Sequence, residues 1–217
     1  MSHAHAATLG EETATGIPSA KLGMWLFLAS EVMFFAGLFA TYVVLRMGHP
    51  AWPGPEGHLS VPLGTLNTFV LIGSSMTIVM ALAADRAGTL PAGEEMPRAG
   101  KRAASERGAT RALRGWLSLT IALGGVFLGI KSFEYATKFS HHIFPSTSVF
   151  WSCYYTLTGL HALHVIGGMG LNLWVLSLTR SASMWQRRGH LLELAGLYWH
   201  FVDIVWIFLF PVLYLMN

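Results

Sequence analysis

The chain has 217 residues, of which 53% are hydrophobic and only 12% are charged. Soluble domains of this size carry about 25% charged residues, so the composition excludes an ordinary soluble protein and favours an integral membrane protein. The formal net charge of +3 is better explained by membrane orientation than by nucleic-acid binding, and no nucleic-acid partner is expected.

A polar segment, residues 1–21, opens the chain as "MSHAHAATLGEETATGIPSAK". It contains Glu11 and Glu12 and lacks a basic region followed by a small-residue cleavage site, so it does not resemble a cleavable signal peptide. We expect a short tail in which His3 and His5 are solvated.

The rest of the chain, residues 22–217, is predicted to be an all-α integral membrane bundle of five transmembrane helices. Apolar runs of about 20 residues each have the length that a bilayer span needs. The predicted spans are Leu22–Leu45, Leu63–Ala84, Gly115–Phe133, Ser148–Leu178 and Leu191–Met216. Cys153 is the only cysteine, which excludes an internal disulfide and a multi-thiolate metal site.

The connecting segments differ sharply in charge, and the difference predicts the orientation. Lys and Arg concentrate in loops on the cytoplasmic side of membrane proteins. If the N-terminus is inside and the C-terminus outside, eleven of the 14 basic residues face the cytoplasm, seven of them in or beside a basic cytoplasmic loop at 86–111. Only Arg46, Lys131 and Lys138 then remain towards the outer side.

Ionisable residues inside the predicted spans are the candidate functional residues, because a charge in lipid is costly and usually serves a purpose. On the last helix, Glu193 and His200 are seven residues apart and nearly superpose, with Asp203 only slightly rotated. His161 and His164 likewise share a face, so two helices are predicted to turn polar stripes towards protein. The candidates are Glu31, Glu134, His161, His164, Glu193, His200 and Asp203.

Three interpretations of these residues stay open. The histidines could ligate a metal or haem, yet the Glu-x-x-His repeats of a di-iron bundle are missing and hydrogen bonds between helices satisfy the same groups. Glu31, flanked by Phe34 and Phe35, could exchange protons. The interpretation that we favour is structural: these residues form polar clamps between helices. Each hydrogen bond in such a clamp stabilises the helix contact by around 1 kcal/mol.

Lys131 and Glu134 have the spacing of an ion pair on one helix face near the outer interface. We expect Lys131 to extend its amine towards the interface rather than to enter the protein interior. Most of the aromatic residues near the span ends are expected to be interface anchors, namely Trp151, Tyr154, Tyr155, Trp185, Tyr198 and Tyr214.

Five blocks of sequence resemble, in the same order, subunit III of the haem-copper terminal oxidases. They are "LASEVMFFAGLFATY", "LNTFVLIGSSMT", "KSFEY", "TGLHALHVIGG" and "AGLYWHFVDIVWIFLFPVLYL". The resemblance runs from about Leu22 to the C-terminus, and only the tail and the basic loop lie outside it. The chain begins at what would be the third helix of the seven-helix members, so it is similar to the five-helix bacterial form.

The resemblance implies a non-catalytic core subunit of a bacterial respiratory oxidase that reduces dioxygen to water and pumps protons. It implies packing against subunit I, which carries haems and copper, and membership of a complex with subunit II in the bacterial inner membrane. No cofactor is expected on this chain, whereas structural phospholipids are. It also implies support of subunit I, of proton uptake and of dioxygen access; membership of a respiratory supercomplex is left open.

Residue by residue, the family's intramembrane glutamate falls on Glu31, its Glu-Tyr pair on Glu134 and Tyr135, and its closing motif on 199–203. Its two-histidine block falls on His161 and His164, and Glu193 matches an acid before the closing motif. Alternatives within the resemblance are subunit III of a quinol oxidase and the related accessory subunit of nitric oxide reductase. Outside it, a stand-alone b-type cytochrome and a proton channel remain.

Overall fold

A computed structural model describes residues 18–55, 57–88 and 99–216, with the backbone alone described over 99–106. The predicted tail therefore lies almost wholly outside the described residues, as do residues 89–98 of the predicted basic loop. The described parts of that loop, residues 86–88 and 99–111, belong to helices.

Five long helices and one short one make up the described chain. The helices are α1 Ser19–Gly48, α2 Val61–Gly88, α3 Ala99–Ser140, α4 Val149–Leu178, α5 Ala182–Arg188 and α6 Leu191–Phe210, which a π-helical segment, Pro211–Leu215, continues. Five of these stretches are long and apolar enough to cross a membrane: Ser19–Gly48, Val61–Gly88, Arg107–Ser140, Val149–Leu178 and Leu191–Leu215. The predicted all-α fold with five spans is confirmed.

The helices extend further than the hydropathy pattern predicted, because backbone hydrogen bonding continues where the side chains become charged. The third span was predicted at Gly115–Phe133, whereas the apolar part of α3 runs Arg107–Ser140. Residues 182–188, which the sequence suggested were loop, form α5. Helix α4 starts where the Ser148 hydroxyl accepts a hydrogen bond from the Trp151 amide, at 3.4 Å.

Regular seams hold the bundle together. Most buried residues of α2 recur at intervals of three and four, from Gly64 and Asn67 to Ile78 and Ala81, and α2 packs more extensively against α3 than against any other helix. Helix α6 is the central element: it contacts α1, α2 and α4, and both Trp199 and Trp206 are completely buried on it.

Helix α1 lies at the edge of the bundle and has a narrow contact face. Only Leu28, Phe35 and Tyr42 are buried among its 30 residues, spaced seven apart as in a single seam. Many of its other large apolar side chains, such as Met33 and Val44, are exposed, as expected of a surface that meets lipid or another membrane helix.

Two glycines allow close approach around Trp199. A Cβ atom added at Gly124 would lie 2.8 Å from Cη2 of Trp199, and one added at Gly168 would lie 2.8 Å from its Cε3. Gly124 and Gly168 therefore leave space for the indole between α3, α4 and α6.

Candidate functional site

The candidate residues lie in separate polar clusters at different depths of the bundle. Seven residues of helix span about 10 Å, so Glu193 and His200 meet different neighbours although they share a face. The structure therefore does not join Glu193, His200 and Asp203 into one site, and each cluster is described in turn.

The most polar cluster surrounds the carboxylate of Glu134, near the end of α3. Lys131 Nζ lies 2.9 Å from Oε2 and Lys138 Nζ lies 2.8 Å from Oε1. The Tyr154 hydroxyl donates to Oε1 at 3.0 Å, and the Tyr214 hydroxyl donates to Oε1 at 2.8 Å. This carboxylate links α3 to α4 and to the end of the π-helical segment.

The Glu134 cluster is buried, so the expectation that Lys131 reaches the interface was wrong. The side chains of Lys131 and Glu134 are only 6% and 5% exposed. Lys131 Nζ also lies 4.7 Å from the centre of a Trp206 ring, a cation–π contact that replaces part of its lost hydration. The predicted ion pair is present, but it lies in the core.

A sequence signal for this burial existed but was missed. The buried positions of α3 continue at intervals of three and four without interruption into the charged ones, and they are Leu113, Leu117, Thr120, Gly124, Phe127, Lys131, Glu134 and Lys138. Lys138, Tyr154 and Tyr214 belong to the cluster and were not among the predicted site residues. The prediction for Lys131 rests on its residue type, whereas the period of buried positions along α3 indicates the core.

Several aromatic residues that were expected at the membrane interface belong to the core instead. Trp151, Tyr154 and Tyr214 are at most 5% exposed. Tyr155 is partly buried, and its hydroxyl donates to the Ile143 carbonyl at 2.9 Å. Trp185 of α5, whose indole donates to Asp85, lies partly exposed at a bundle end as an anchor would.

Glu31 and His164 form a pair near the middle of α1 and α4. His164 Nε2 lies 3.1 Å from Oε2 of Glu31, and its Nδ1 lies 2.8 Å from the carbonyl of Leu160. The two side chains are 20% and 18% exposed, so the pair lies at the edge of the bundle and not in its interior. Tyr198 of α6 donates to the His164 carbonyl at 3.2 Å. The pair therefore links α1 to α4.

His200 is held from α2. Its Nδ1 lies 2.5 Å from the hydroxyl of Ser75, a residue that the sequence did not single out. Asp203, one turn further, is 3% exposed, and neither of its carboxyl oxygens has a hydrogen-bond partner within the described residues. His200 therefore links two helices.

His161 is completely buried among aromatic rings, 5.3 Å from Trp206 and 5.6 Å from Phe127 between ring centres. Neither ring nitrogen has a hydrogen-bond partner in the described part of the chain. At the other end of the bundle, Glu193 pairs with Lys21 at 2.7 Å, which fastens the start of α1 to the start of α6.

The histidines of the described residues are not gathered into one group. Across residues 18–55, 57–88 and 99–216, no group of three or more His, Cys, Asp or Glu side chains is close enough to hold a metal ion. Both ring nitrogens of His164 already have partners, and His161 is enclosed by Phe127 and Trp206. His164 and His200 pair with residues of other helices in this geometry, whereas His161 packs among aromatic rings.

An apolar groove of about 660 Å³ runs between α1 and α6. Its walls include Trp25, Phe39 and Phe208, and His200 is its one ionisable lining residue among those described. A groove with such walls suits hydrocarbon, because apolar side chains offer no partner to a polar ligand.

Comparison with known proteins places these features in context. The family model for cytochrome c oxidase subunit III matches residues 100–217. The chain is 37% identical to cytochrome c oxidase subunit 3 of Thermostichus vulcanus, over 90% of this chain and 87% of that protein. It is 34% identical to that of Corynebacterium diphtheriae, over 91% and 88%, and 31% identical to that of Alkalihalophilus pseudofirmus, over 95% and 96%.

Proposed function

The chain belongs to the cytochrome c oxidase subunit III family and is therefore a subunit of a bacterial-type terminal oxidase, and we propose that it acts there as a scaffold without a redox centre of its own. The partner subunits carry the haems and copper that reduce dioxygen to water. This chain packs against subunit I, in a complex that also contains subunit II, and stabilises it.

One observation carries this proposal: the relatives align over nearly the whole chain, so all five spans are covered and not only one motif. The side-chain geometry supports it. Within the described residues, Glu134, Glu31 and Glu193 each pair with a basic side chain or a histidine of this same chain. A bundle that satisfies these charges internally can present an apolar outer surface to lipid and to partner helices.

We place the subunit in the bacterial inner membrane with its N-terminus in the cytoplasm and its C-terminus outside. Eleven of 14 basic residues then lie on the cytoplasmic side, as the positive-inside rule requires. The groove between α1 and α6 holds phospholipid acyl chains, because its walls are apolar and it opens along helices of bilayer length.

A second role, support of proton uptake, is favoured by the position of Glu31. Its carboxyl group is 20% exposed at the edge of the bundle and is bound to an imidazole, a pair that can exchange a proton with a neighbouring subunit. The Glu134 cluster is buried and does not reach the edge of the bundle. We therefore assign proton transfer to Glu31 rather than to Glu134.

Affinity purification through a tag on this chain tests the proposal. In mild detergent we expect two further core subunits to co-purify, together with haem in the amount of subunit I. The identity of the partners distinguishes a cytochrome c oxidase from a quinol oxidase or a nitric oxide reductase complex. A b-type haem band that is stoichiometric with the chain alone would overturn the proposal, and so would proton conduction by liposomes containing only this chain.

A further inference from the structure

Two exposed histidines from different parts of the chain lie side by side at the end of the bundle that also contains the Glu134 cluster. His58 lies in the connection between α1 and α2, and His141 directly follows the last residue of α3. Their ring centres are 6.2 Å apart, with the ring planes at 61°. Both side chains are exposed, so a dissolved ion can reach the pair. Both residues lie outside the predicted spans and were not among the sequence candidates.

The connection between α1 and α2 orients the ring of His58. The His58 amide donates to the Pro55 carbonyl at 2.8 Å, next to Gly57 with a φ of +78° that glycine adopts without steric cost. Nδ1 of His58 lies 3.3 Å from the same carbonyl. Because a carbonyl oxygen only accepts, this contact places the ring proton on Nδ1 and the lone pair on Nε2. Metal-bound histidines have this arrangement, in which one ring nitrogen donates to a carbonyl and the other binds the ion.

The end of α3 fixes the position of His141. The His142 amide donates to the Phe139 carbonyl at 3.0 Å, the Ile143 amide donates to the Lys138 carbonyl at 3.0 Å, and His142 has a φ of +57°. These are the bonds and the left-handed residue of a Schellman motif, in which His141 is the C-cap residue. The carbonyl end of a helix carries a partial negative charge, which favours a bound cation.

The separation of the two rings suits a single ion between them after a small adjustment. With a bond of about 2.1 Å from zinc to each nitrogen, two imidazoles on one tetrahedral ion have ring centres about 5.2 Å apart. The observed 6.2 Å is longer by about 1 Å, which rotation of two exposed side chains can close. Imidazole nitrogen suits Zn²⁺ and Cu²⁺, whereas Mg²⁺ and Ca²⁺ prefer oxygen ligands.

We propose that His58 and His141 together bind one divalent transition-metal ion of the zinc and copper class, each through a ring nitrogen, with water in the remaining coordination positions. An ion bound in this way ties the connection between α1 and α2 to the end of α3. The site is open to solvent, so the ion exchanges with solution. The proposal goes beyond the scaffold role and does not depend on it.

Isothermal titration calorimetry of the full chain in detergent, purified through a tag without histidines, measures the binding of Zn²⁺, Cu²⁺ and Mg²⁺. A His3→Gln/His5→Gln background removes the histidines of the N-terminal tail, which could bind the same ions. We expect one Zn²⁺ per chain in this background, tighter binding of Cu²⁺, and no binding of Mg²⁺. His58→Gln and His141→Gln should each lower the Zn²⁺ affinity by at least about tenfold, because even loss of a group that only orients a ligand costs about 10–100-fold.

A matched variant and a second measurement separate the site from general metal binding and from misfolding. His190→Gln removes an exposed histidine at the opposite end of the bundle and should retain the Zn²⁺ affinity of the background. Without metal, His58→Gln and His141→Gln should unfold at the temperature of the background. Zn²⁺ should raise the unfolding temperature of the background, because it binds the folded chain, and leave that of these two variants unchanged.

Unchanged Zn²⁺ affinity in either His58→Gln or His141→Gln would overturn the proposal, and so would an equal loss in His190→Gln or binding of Mg²⁺ as tight as that of Zn²⁺. Because the isolated chain is used, a failure here is independent of whether the chain co-purifies with an oxidase.

Discussion

At the scale of single residues, the Glu134 cluster brings three charged side chains together in the core. Two lysines and one glutamate are buried together, so the carboxylate offsets part of a positive charge that has left water. Burying charges costs several kcal/mol per ion, and the cluster is tolerated because four hydrogen-bonding side chains converge on one carboxylate. Removing the carboxylate alone is therefore expected to lower the stability more than removing all three charged groups.

We expect Glu134→Gln to destabilise the chain by about 3–5 kcal/mol, because it leaves Lys131 and Lys138 buried without a counter-charge. Thermal unfolding of the purified protein, followed by helical circular dichroism, measures the effect. The triple variant Lys131→Met/Glu134→Leu/Lys138→Met removes all three charges and should recover most of the lost stability. If the triple variant unfolds as early as Glu134→Gln, charge imbalance is not the cause.

The space around Trp199 gives a second test. Gly168→Ala should lower stability by about 1–3 kcal/mol, since its Cβ would enter a position 2.8 Å from the indole of a fully buried residue. Gly170→Ala, two residues along the same helix with nothing within 4 Å of the new Cβ, is the matched control and should have little effect. Equal unfolding temperatures for the two variants would contradict the packing described.

At the scale of elements, α1 is the least closely packed of the five long helices and depends on polar links to its neighbours. Lys21–Glu193 fastens its start, Glu31–His164 its middle, and the Tyr42 hydroxyl donates to the Val212 carbonyl near its end, at 3.4 Å. The three links lie at successive depths along a seam of only three buried residues. Loss of one link should loosen this helix before any other.

Glu31→Ala is expected to weaken the docking of α1 by about 1 kcal/mol, the size of a polar contact between membrane helices. Hydrogen–deuterium exchange should then rise along α1 and remain unchanged in α3. Thr41→Val is the control, because the Thr41 hydroxyl donates only to the Gly37 carbonyl of its own helix, at 2.8 Å. Uniformly faster exchange in all helices would indicate general unfolding and contradict this account.

The elements also show what could be predicted from the sequence. Five spans follow from apolar length alone, because a bilayer demands it. The positions of the helix ends do not follow from apolar length, since hydropathy falls at the first charged residues while the backbone remains helical. In α3 the helix includes both Arg107 and Ser140. The pairing of Glu31 with His164 joins residues 133 positions apart, and helix period predicts which face each occupies without naming the partner. Ser75 and Tyr214 were missed for the same reason, whereas Lys138 lies four residues from Glu134 on the same helix and was missed although the helix period indicates it.

At the scale of the whole molecule, charge is distributed asymmetrically between the two ends of the bundle. The end that contains Lys21, Arg114 and Arg180 is the one predicted to face the cytoplasm, and the Glu134 cluster lies towards the other. The same asymmetry predicts the topology of the chain in the membrane. The orientation of the chain in the membrane is therefore a prediction that follows from the distribution of basic residues.

Labelling of single cysteines checks the orientation. In a Cys153→Ser background, Ser146→Cys and Ser183→Cys place a thiol at exposed positions at opposite ends of the bundle. In intact spheroplasts, a membrane-impermeant maleimide should label position 146 and not position 183, which becomes reactive only after lysis. The reverse pattern would show that the termini are inverted and that the positive-inside assignment fails.

The central claim is that this subunit supports a catalytic partner and performs no electron transfer itself. The most direct measurement compares the purified oxidase with and without this chain during continuous turnover, scored per haem. The account predicts an unchanged haem spectrum and a similar initial rate of dioxygen consumption, followed by faster loss of activity in the complex that lacks the chain. Loss of a haem band, or abolition of the initial rate when the chain is removed, would contradict it.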